Sequence, residues 1–411
     1  MLRLSARHRV VSSGALPIPV LVVGATMSLA LLGDSLLYVA LPAHAAELSL
    51  PLWSVGVLLG ANRIVRLVTN GLAAWSFNRV GGRLPMVAAS VGAAATTATY
   101  GLVPSFLPLL AARLAWGACF STLRLGAFTA TLAVSEPNTR GRLVGLYQSI
   151  SRVGPVCSLL VGGLLVGTIG YHPAFAILGL ATLPAIGLAL VLPASAYRPS
   201  SPLPPASSPA RRERRSIGWR ERWLGGPRLV AVKLGMLANG FTSQGVVLAT
   251  LTLALAEVAG SAEGAAALGG LLVAFRWGAD LFLAPWFGHL SDRIGRGRMI
   301  PALLLIEAVA VAGLALASSR PTVVAATLAV FLTSTALTAS SDAAAGDLAP
   351  PDRRAEVMSG YSDWIDVGAA LGPPLAFILA DRVGLWPSYG CTALLLVVVA
   401  GWFVTAWRRA T

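Results

Sequence analysis

From Leu16 to Pro42 the chain runs apolar for longer than an ordinary buried helix needs, with a single charge, Asp34. Eleven more such stretches follow, at 50–75, 84–103, 106–134, 143–168, 173–195, 229–256, 264–288, 299–318, 321–346, 357–380 and 386–407. A helix of about 20 apolar residues crosses the hydrocarbon of a bilayer. Lipid offers no hydrogen-bond partners, so a spanning backbone is either helical or a closed barrel. The alternation of a barrel strand is missing from these stretches. An all-α membrane protein with twelve transmembrane helices is therefore expected. Only 12% of the residues are charged, against roughly 25% in a soluble domain, which excludes a water-soluble fold. Arg3, Arg7 and Arg9 ahead of the first stretch imitate a secretory leader. Its length exceeds the about 7–15 apolar residues of such a leader, so it reads as a retained helix.

The net charge of +14 is not spread as a nucleic-acid footprint would be. Basic residues gather in alternate loops: Arg79 and Arg83, Arg140 and Arg142, Arg293, Arg296 and Arg298, Arg353 and Arg354. The two termini and the segment 196–228 belong to the same side, while the opposite loops hold Arg320 and Arg382. An excess of Lys and Arg marks cytoplasmic loops, so both termini are expected in the cytoplasm. The Pro/Ser-rich, then Arg-rich segment 196–228 reads as a linker between six-helix halves at 1–195 and 229–411. Cys119, Cys157 and Cys391 lie inside apolar stretches and are too few for a disulfide framework.

Sliding the chain by 214 residues superposes Asn78 on Asp292, Arg79 on Arg293, Gly81 on Gly295, Tyr147 on Tyr361 and Gly154 on Gly368. One offset serving both ends of each half indicates duplication, a recurring plan in transporters. Among the superposed segments is "GHLSDRIGRGR", Gly288 to Arg298. Gly288, Leu290, Asp292, Arg293, Gly295 and Arg296 resemble the G-x-L-x-D-R-x-G-R signature of the major facilitator superfamily, and "AWSFNRVGGR" from Ala74 is a worn copy. The resemblance implies two pseudo-symmetric six-helix halves that alternate access to a central site. It implies a cytoplasmic latch formed by Gly288, Asp292, Arg293, Gly295 and Arg296, with Asn78 and Arg79 in the first copy. Gly288 is expected to permit close helix contact and Gly295 a tight turn. "GDSLLYVALP" from Gly33 and "RLAWGAC" from Arg113 resemble the drug–proton antiporter branch, although Trp116 stands where Gln is usual. The G-P then G-G pattern of the fifth helix is only partial, at Gly154, Pro155, Gly162 and Gly163.

Ionisable residues inside a span are costly and mark function. Asp34 and Arg113 fall at the same depth and are expected to pair. Together with Arg63, Arg124 and Asp342 they form the expected proton and substrate pathway. The polar stripe Asn62, Arg66, Asn70 repeats every fourth residue and must meet protein or a wet cavity. Under the 214 offset Arg66 superposes on Asp280 and Arg152 on Asp366. In the family fold the second helix packs on the eleventh and the fifth on the eighth. This arrangement predicts the crossed pairs Arg66–Asp366 and Arg152–Asp280 between the halves. Arg63, Arg124 and Arg276 favour an anionic substrate, whereas Asp34, Asp342 and Asp363 favour a cation. No P-loop, zinc-ligand spacing or G-x-S-x-G run is present, so neither enzyme activity nor a metal or cofactor is expected. The expectation is a monomeric carrier in a bacterial-type inner membrane. Its partners are the lipid bilayer, protons and a small-molecule substrate, and nucleic acid is not among them. It is expected to export a drug-like or toxic compound, or alternatively to carry an organic anion or metabolite.

Overall fold

The computed structural model describes residues 18–103, 105–135, 140–192, 225–259, 264–349 and 354–409. Among these, every regular element is a helix. Six spans precede the gap in description at 193–224 and six follow it. In the first half, span 1 is Ile18–Ala43, span 2 Leu52–Val80, span 3 Arg83–Leu102, span 4 Phe106–Ala133, span 5 140–169 and span 6 Tyr171–Val191. In the second half, span 7 is Pro227–Ala259, span 8 Ala265–Ile294, span 9 Arg296–Ala315, span 10 Arg320–Leu348, span 11 Arg354–Val383 and span 12 Leu385–Arg409. Among the described residues ten of these are long and apolar enough to cross a membrane, and span 8, bent beyond Asp280, makes eleven. Span 3 is rich in Ala and Thr and packs between spans 4 and 6.

Several helices overrun their apolar stretches. Span 2 continues to Val80 and span 8 to Ile294, six residues past the 288 at which its apolar stretch stops. Hydropathy registers the edge of the hydrocarbon, whereas the helix stops where a residue can turn left-handed. Gly81 (φ 79°), Gly170 (φ 89°), Gly295 (φ 89°) and Gly384 (φ 93°) make those stops, a conformation open to glycine at little cost. Two spans carry π-helical stretches, Ser158–Gly162 in span 5 and Gly240–Val247 in span 7. In span 5 the cause is visible. Pro155 lacks an N–H, and the Gly154 N–H donates to Ser28 Oγ of span 1 at 2.6 Å, so the regular ladder is interrupted.

The side carrying Arg79, Arg83, Arg293, Arg296 and Arg298 is called the basic face below. Packing differs between the two faces. On the opposite face one core runs through both halves and joins Leu36, Val39 and Leu159 with Val247, Leu251 and Leu255. There a Cβ on Gly270 would lie 2.6 Å from the Leu159 carbonyl oxygen, and one on Gly269 3.5 Å from Val39 Cγ1. Toward the basic face the first half keeps a core of its own, built from Val20, Met27, Met86, Leu123, Ala127 and Tyr147. The bundle is thus sealed on the opposite face and parted on the basic face.

Candidate functional site

Three ion pairs lie at mid-depth, each bringing together side chains from different spans. The first is internal to the first half. Arg113 is fully buried (0%) and pairs with Asp34 Oδ1, whose side chain is 14% exposed. The guanidinium also donates from Nε to the Leu58 carbonyl at 2.9 Å and from Nη2 to Tyr38 Oη at 3.3 Å. Asn62 Nδ2 donates to the same Asp34 oxygen at 3.3 Å. Arg113 is therefore saturated with acceptors, as a buried guanidinium must be.

The other two pairs cross the seam between the halves. Arg66 Nη2 of span 2 lies 3.5 Å from Asp366 Oδ1 of span 11, with side-chain exposures of 8% and 11%. Arg152 Nη1 of span 5 lies 3.2 Å from Asp280 Oδ2 of span 8, with exposures of 28% and 22%. The repeat positions each acid opposite its base because spans 2 and 11 pack together, as do spans 5 and 8. Arg63, expected in the pathway rather than the seam, also reaches Asp366 Oδ1, at 3.6 Å, and donates to Gln244 Oε1 of span 7 at 3.1 Å. Phe120 lies under the Arg66 guanidinium at 4.7 Å and Trp277 under that of Arg152 at 4.8 Å, contacts that attract a cation to the ring face.

Arg124 and Asp342 are exposed and are not paired with each other. Arg124 lies within electrostatic reach of Arg66, and Asp342 within reach of Asp280. Asp342 accepts a hydrogen bond from Tyr361 Oη at 2.7 Å. Both therefore flank the seam on the open side. Trp116 packs within the first-half core against Phe120, and Tyr38 is held on Arg113 and Asn62.

The motif at 288–298 folds back on its own half. Arg296 bonds Asp292 at 2.9 Å and also engages Asp347 and the Ala343 carbonyl at the end of span 10. Gly295 makes the turn. Gly288 departs from expectation, because a Cβ there would meet no atom within 4 Å. The helices part on this face, so no neighbour approaches it. The small residue that close packing does require is Gly297, whose absent Cβ leaves room for the Trp407 ring of span 12. Arg293 and Arg79 are exposed. The side chains of Asn78, Arg140 and Arg354, and residues 1–17, 196–224 and 353, lie outside what is described.

Of two further buried charges, Glu307 was not legible as a site candidate, whereas Arg276 was expected only to favour an anionic substrate. Glu307 of span 9 is fully buried, and among the described residues neither of its carboxylate oxygens meets a hydrogen-bond donor. Arg276 of span 8 is buried, donates to the Ser243 carbonyl at 3.3 Å, and lies over Phe331 at 5.3 Å. Glu307 stands alone in its apolar run, and Arg276 has Asp280 four residues on, which pairs instead with Arg152 of span 5, so only the packing of spans 7 to 10 reveals what the two face. Among the described residues no three His, Cys, Asp or Glu side chains are grouped to hold a metal ion.

Such a bundle of two six-helix halves, meeting across a charged seam and open to one side, defines a secondary carrier. The family profile described as Major Facilitator Superfamily matches residues 23–275 and 234–411, and the chain belongs to that superfamily. It is an integral, multi-pass membrane transporter. A curated relative is the "Multidrug resistance protein MdtG" of Dickeya zeae (strain Ech586), 26% identical over 266 residues, or 63% of this chain. The match spans 61% of that relative's length. A solved bacterial homologue of the human lysosomal transporter Spinster, inward-facing and occupied, superposes with a TM-score of 0.77 at 18% identity. That match covers 96% of this chain and 98% of the other. The nucleoside transporter NupG superposes with a TM-score of 0.74 at 12% identity, over 96% and 100% of the two chains.

Proposed function

We propose that this carrier exports a drug-like or toxic organic compound across a bacterial inner membrane in exchange for protons. Its halves, 1–195 and 229–411, rock about the seam, and 196–228 links them. The basic face is cytoplasmic by the positive-inside rule, which puts both termini inside. The described state is then the one that loads from the cytoplasm. Likeness to a multidrug resistance protein supports efflux. The reading works with one copy of the chain and needs no cofactor.

One observation carries the coupling. Asp34 Oδ1 is engaged by Arg113 and Asn62, yet the carboxylate remains partly exposed. A carboxylate held on one oxygen by a fixed cation, with access on the other side, changes protonation as its surroundings change during the cycle. Its role is that of the proton site. Arg113, already saturated, positions it. The seam pairs keep the halves in register, and the 288–298 motif latches the basic face when the carrier turns outward.

The test is transport in proteoliposomes under an imposed pH gradient. Asp34→Asn is expected to abolish gradient-driven accumulation while leaving counterflow of labelled substrate, because exchange needs no net proton movement. Unchanged accumulation in Asp34→Asn removes the coupling role. A growth-inhibition screen of a deletion strain over a broad compound panel identifies the substrate.

A further inference from the structure

Formal charge at the seam is unbalanced. Arg63 and Arg66 share one carboxylate oxygen, Oδ1 of Asp366, at 3.6 and 3.5 Å. Arg152 pairs with Asp280, which also lies within electrostatic reach of Arg276. Arg276 donates to a neutral backbone carbonyl and lies within electrostatic reach of Arg63 and Arg152, both of its own sign. Glu307 is the further acid within its reach. Even counted as ionised, it leaves four arginines (63, 66, 152, 276) facing three acids (280, 307, 366). Arg113 with Asp34, and exposed Arg124 with Asp342, each add one charge of either sign, as do Lys233 and Asp363. The surplus positive charge remains with Arg63, Arg66 and Arg276.

Those arginines also converge in space. Arg63 of the first half donates to Gln244, and Arg276 of the second half to the carbonyl of Ser243. Two guanidinium groups from opposite halves therefore close on consecutive residues of the π-helical stretch Gly240–Val247 in span 7. The Nε atoms of Arg63 and Arg66 are buried and meet no acceptor among the described residues. A buried donor left unpaired is costly, and more so on a charged group. A planar guanidinium is built to grip a carboxylate, phosphonate or sulfonate through two parallel bonds.

We propose that Arg63, Arg66 and Arg276 bind the oxyanion group of a transported organic anion. The bound anion sits between the halves, relieves the repulsion between their arginines and draws the seam together. This inference rests on the transport reading above and names the substrate class for it.

The full-length chain, reconstituted in nanodiscs, is to be titrated with benzoate, benzylphosphonate and naphthalene-2-sulfonate, and with benzyltrimethylammonium as the charge-inverted control. Unfolding temperature is the readout. In parallel the same labelled compounds are followed by counterflow in proteoliposomes. At least one anion is expected to stabilise the protein and exchange, and the cation to do neither. Arg276→Gln should weaken the apparent affinity for that anion by about tenfold or more, and Arg276→Lys by less, since Lys keeps the charge but not the fork. Should Arg276→Gln fail to elute as a monodisperse species, Arg63→Gln provides the same comparison. An anion affinity unchanged in a folded Arg276→Gln or Arg63→Gln overturns the site. Binding and exchange of the cation with all three anions inert also overturns it, but leaves the carrier reading standing. If no compound of either sign binds or exchanges, both readings fall.

Discussion

The two charged seams are copies of one design that have diverged. Spans 2 and 11 meet through Arg66 and Asp366, with side chains 8% and 11% exposed, and Arg63 adds a second cation. Spans 5 and 8 meet through Arg152 and Asp280, at 28% and 22% exposure. Close backbone contact is common to both seams, since a Cβ on Gly270 of span 8 would lie 2.6 Å from the Leu159 carbonyl oxygen of span 5. A Cβ on Gly56 would come within 2.7 Å of the Pro373 carbonyl oxygen, and Gly60 lies against Ala370 of the same span. Spans 2 and 11 thus add a near-dry ion cluster to that contact, whereas the Arg152 pair of spans 5 and 8 is reached by solvent. Removing one partner of a buried pair costs about 3–5 kcal/mol, because the other charge is left stranded. An exposed pair contributes about 0–1 kcal/mol. The duplicated sequence therefore yields one seam that resists separation and one that yields more easily.

The largest effect is expected at the closed seam. Arg66→Asp or Asp366→Arg alone places like charges together and should abolish substrate counterflow, and the double swap should restore part of it. Failure of the double swap to recover the unfolding temperature lost in the single variants would show that the two side chains do not act on one another. At the open seam, Arg152→Asp and Asp280→Arg should each reduce counterflow by about tenfold or less, with near-complete recovery in the double swap. Equal losses at both seams would erase the distinction. The seams should also separate by salt. Exposed charges are screened over a Debye length of about 8 Å at 0.15 M, so thermal stability should fall more with added salt for wild type than for Arg152→Gln. An identical salt response in the two would place the Arg152 pair out of solvent reach. The smallest effect belongs to Thr335, whose hydroxyl donates to Asp280 Oδ1 at 2.6 Å. Thr335→Val should lower stability by about 1 kcal/mol, read as a small shift in unfolding temperature.

Much of this arrangement was legible because charge is so expensive in an apolar stretch. Asp34, Arg66, Arg113, Arg152, Asp280 and Asp366 each demand a partner, and the 214-residue offset left few ways to choose them. Depth along a helix follows from residue count, so Asp34 and Arg113 could be matched without coordinates. What hydropathy does not carry is the rotation of each helix about its axis. The π-helical stretches of spans 5 and 7 shift that phase midway. The convergence of Arg63 and Arg276 on Gln244 and Ser243 falls within the second of these, and no periodic pattern foretold it. Gly288 failed for another reason. Its expected role depends on a neighbouring helix, and the basic face is parted. The packing of spans 9 and 10 likewise sets Asp347 beside Arg296, a contact that hydropathy does not carry.

Separation on one face and closure on the other is the claim on which the seam comparison depends. It is tested most directly by fixing the closed face. Gly163 of span 5 faces Ala267 of span 8, with 3.8 Å between a Cβ built on the first and the Cα of the second. With Cys119, Cys157 and Cys391 replaced by serine, Gly163→Cys and Ala267→Cys can be oxidised to a disulfide and assayed by counterflow before and after reduction. The bridged carrier should cease to exchange substrate and recover on reduction. In the bridged state Arg124→Cys should stay reactive toward a hydrophilic maleimide from the basic face. A bridged carrier that exchanges substrate as fast as the reduced one would contradict alternating access at this seam.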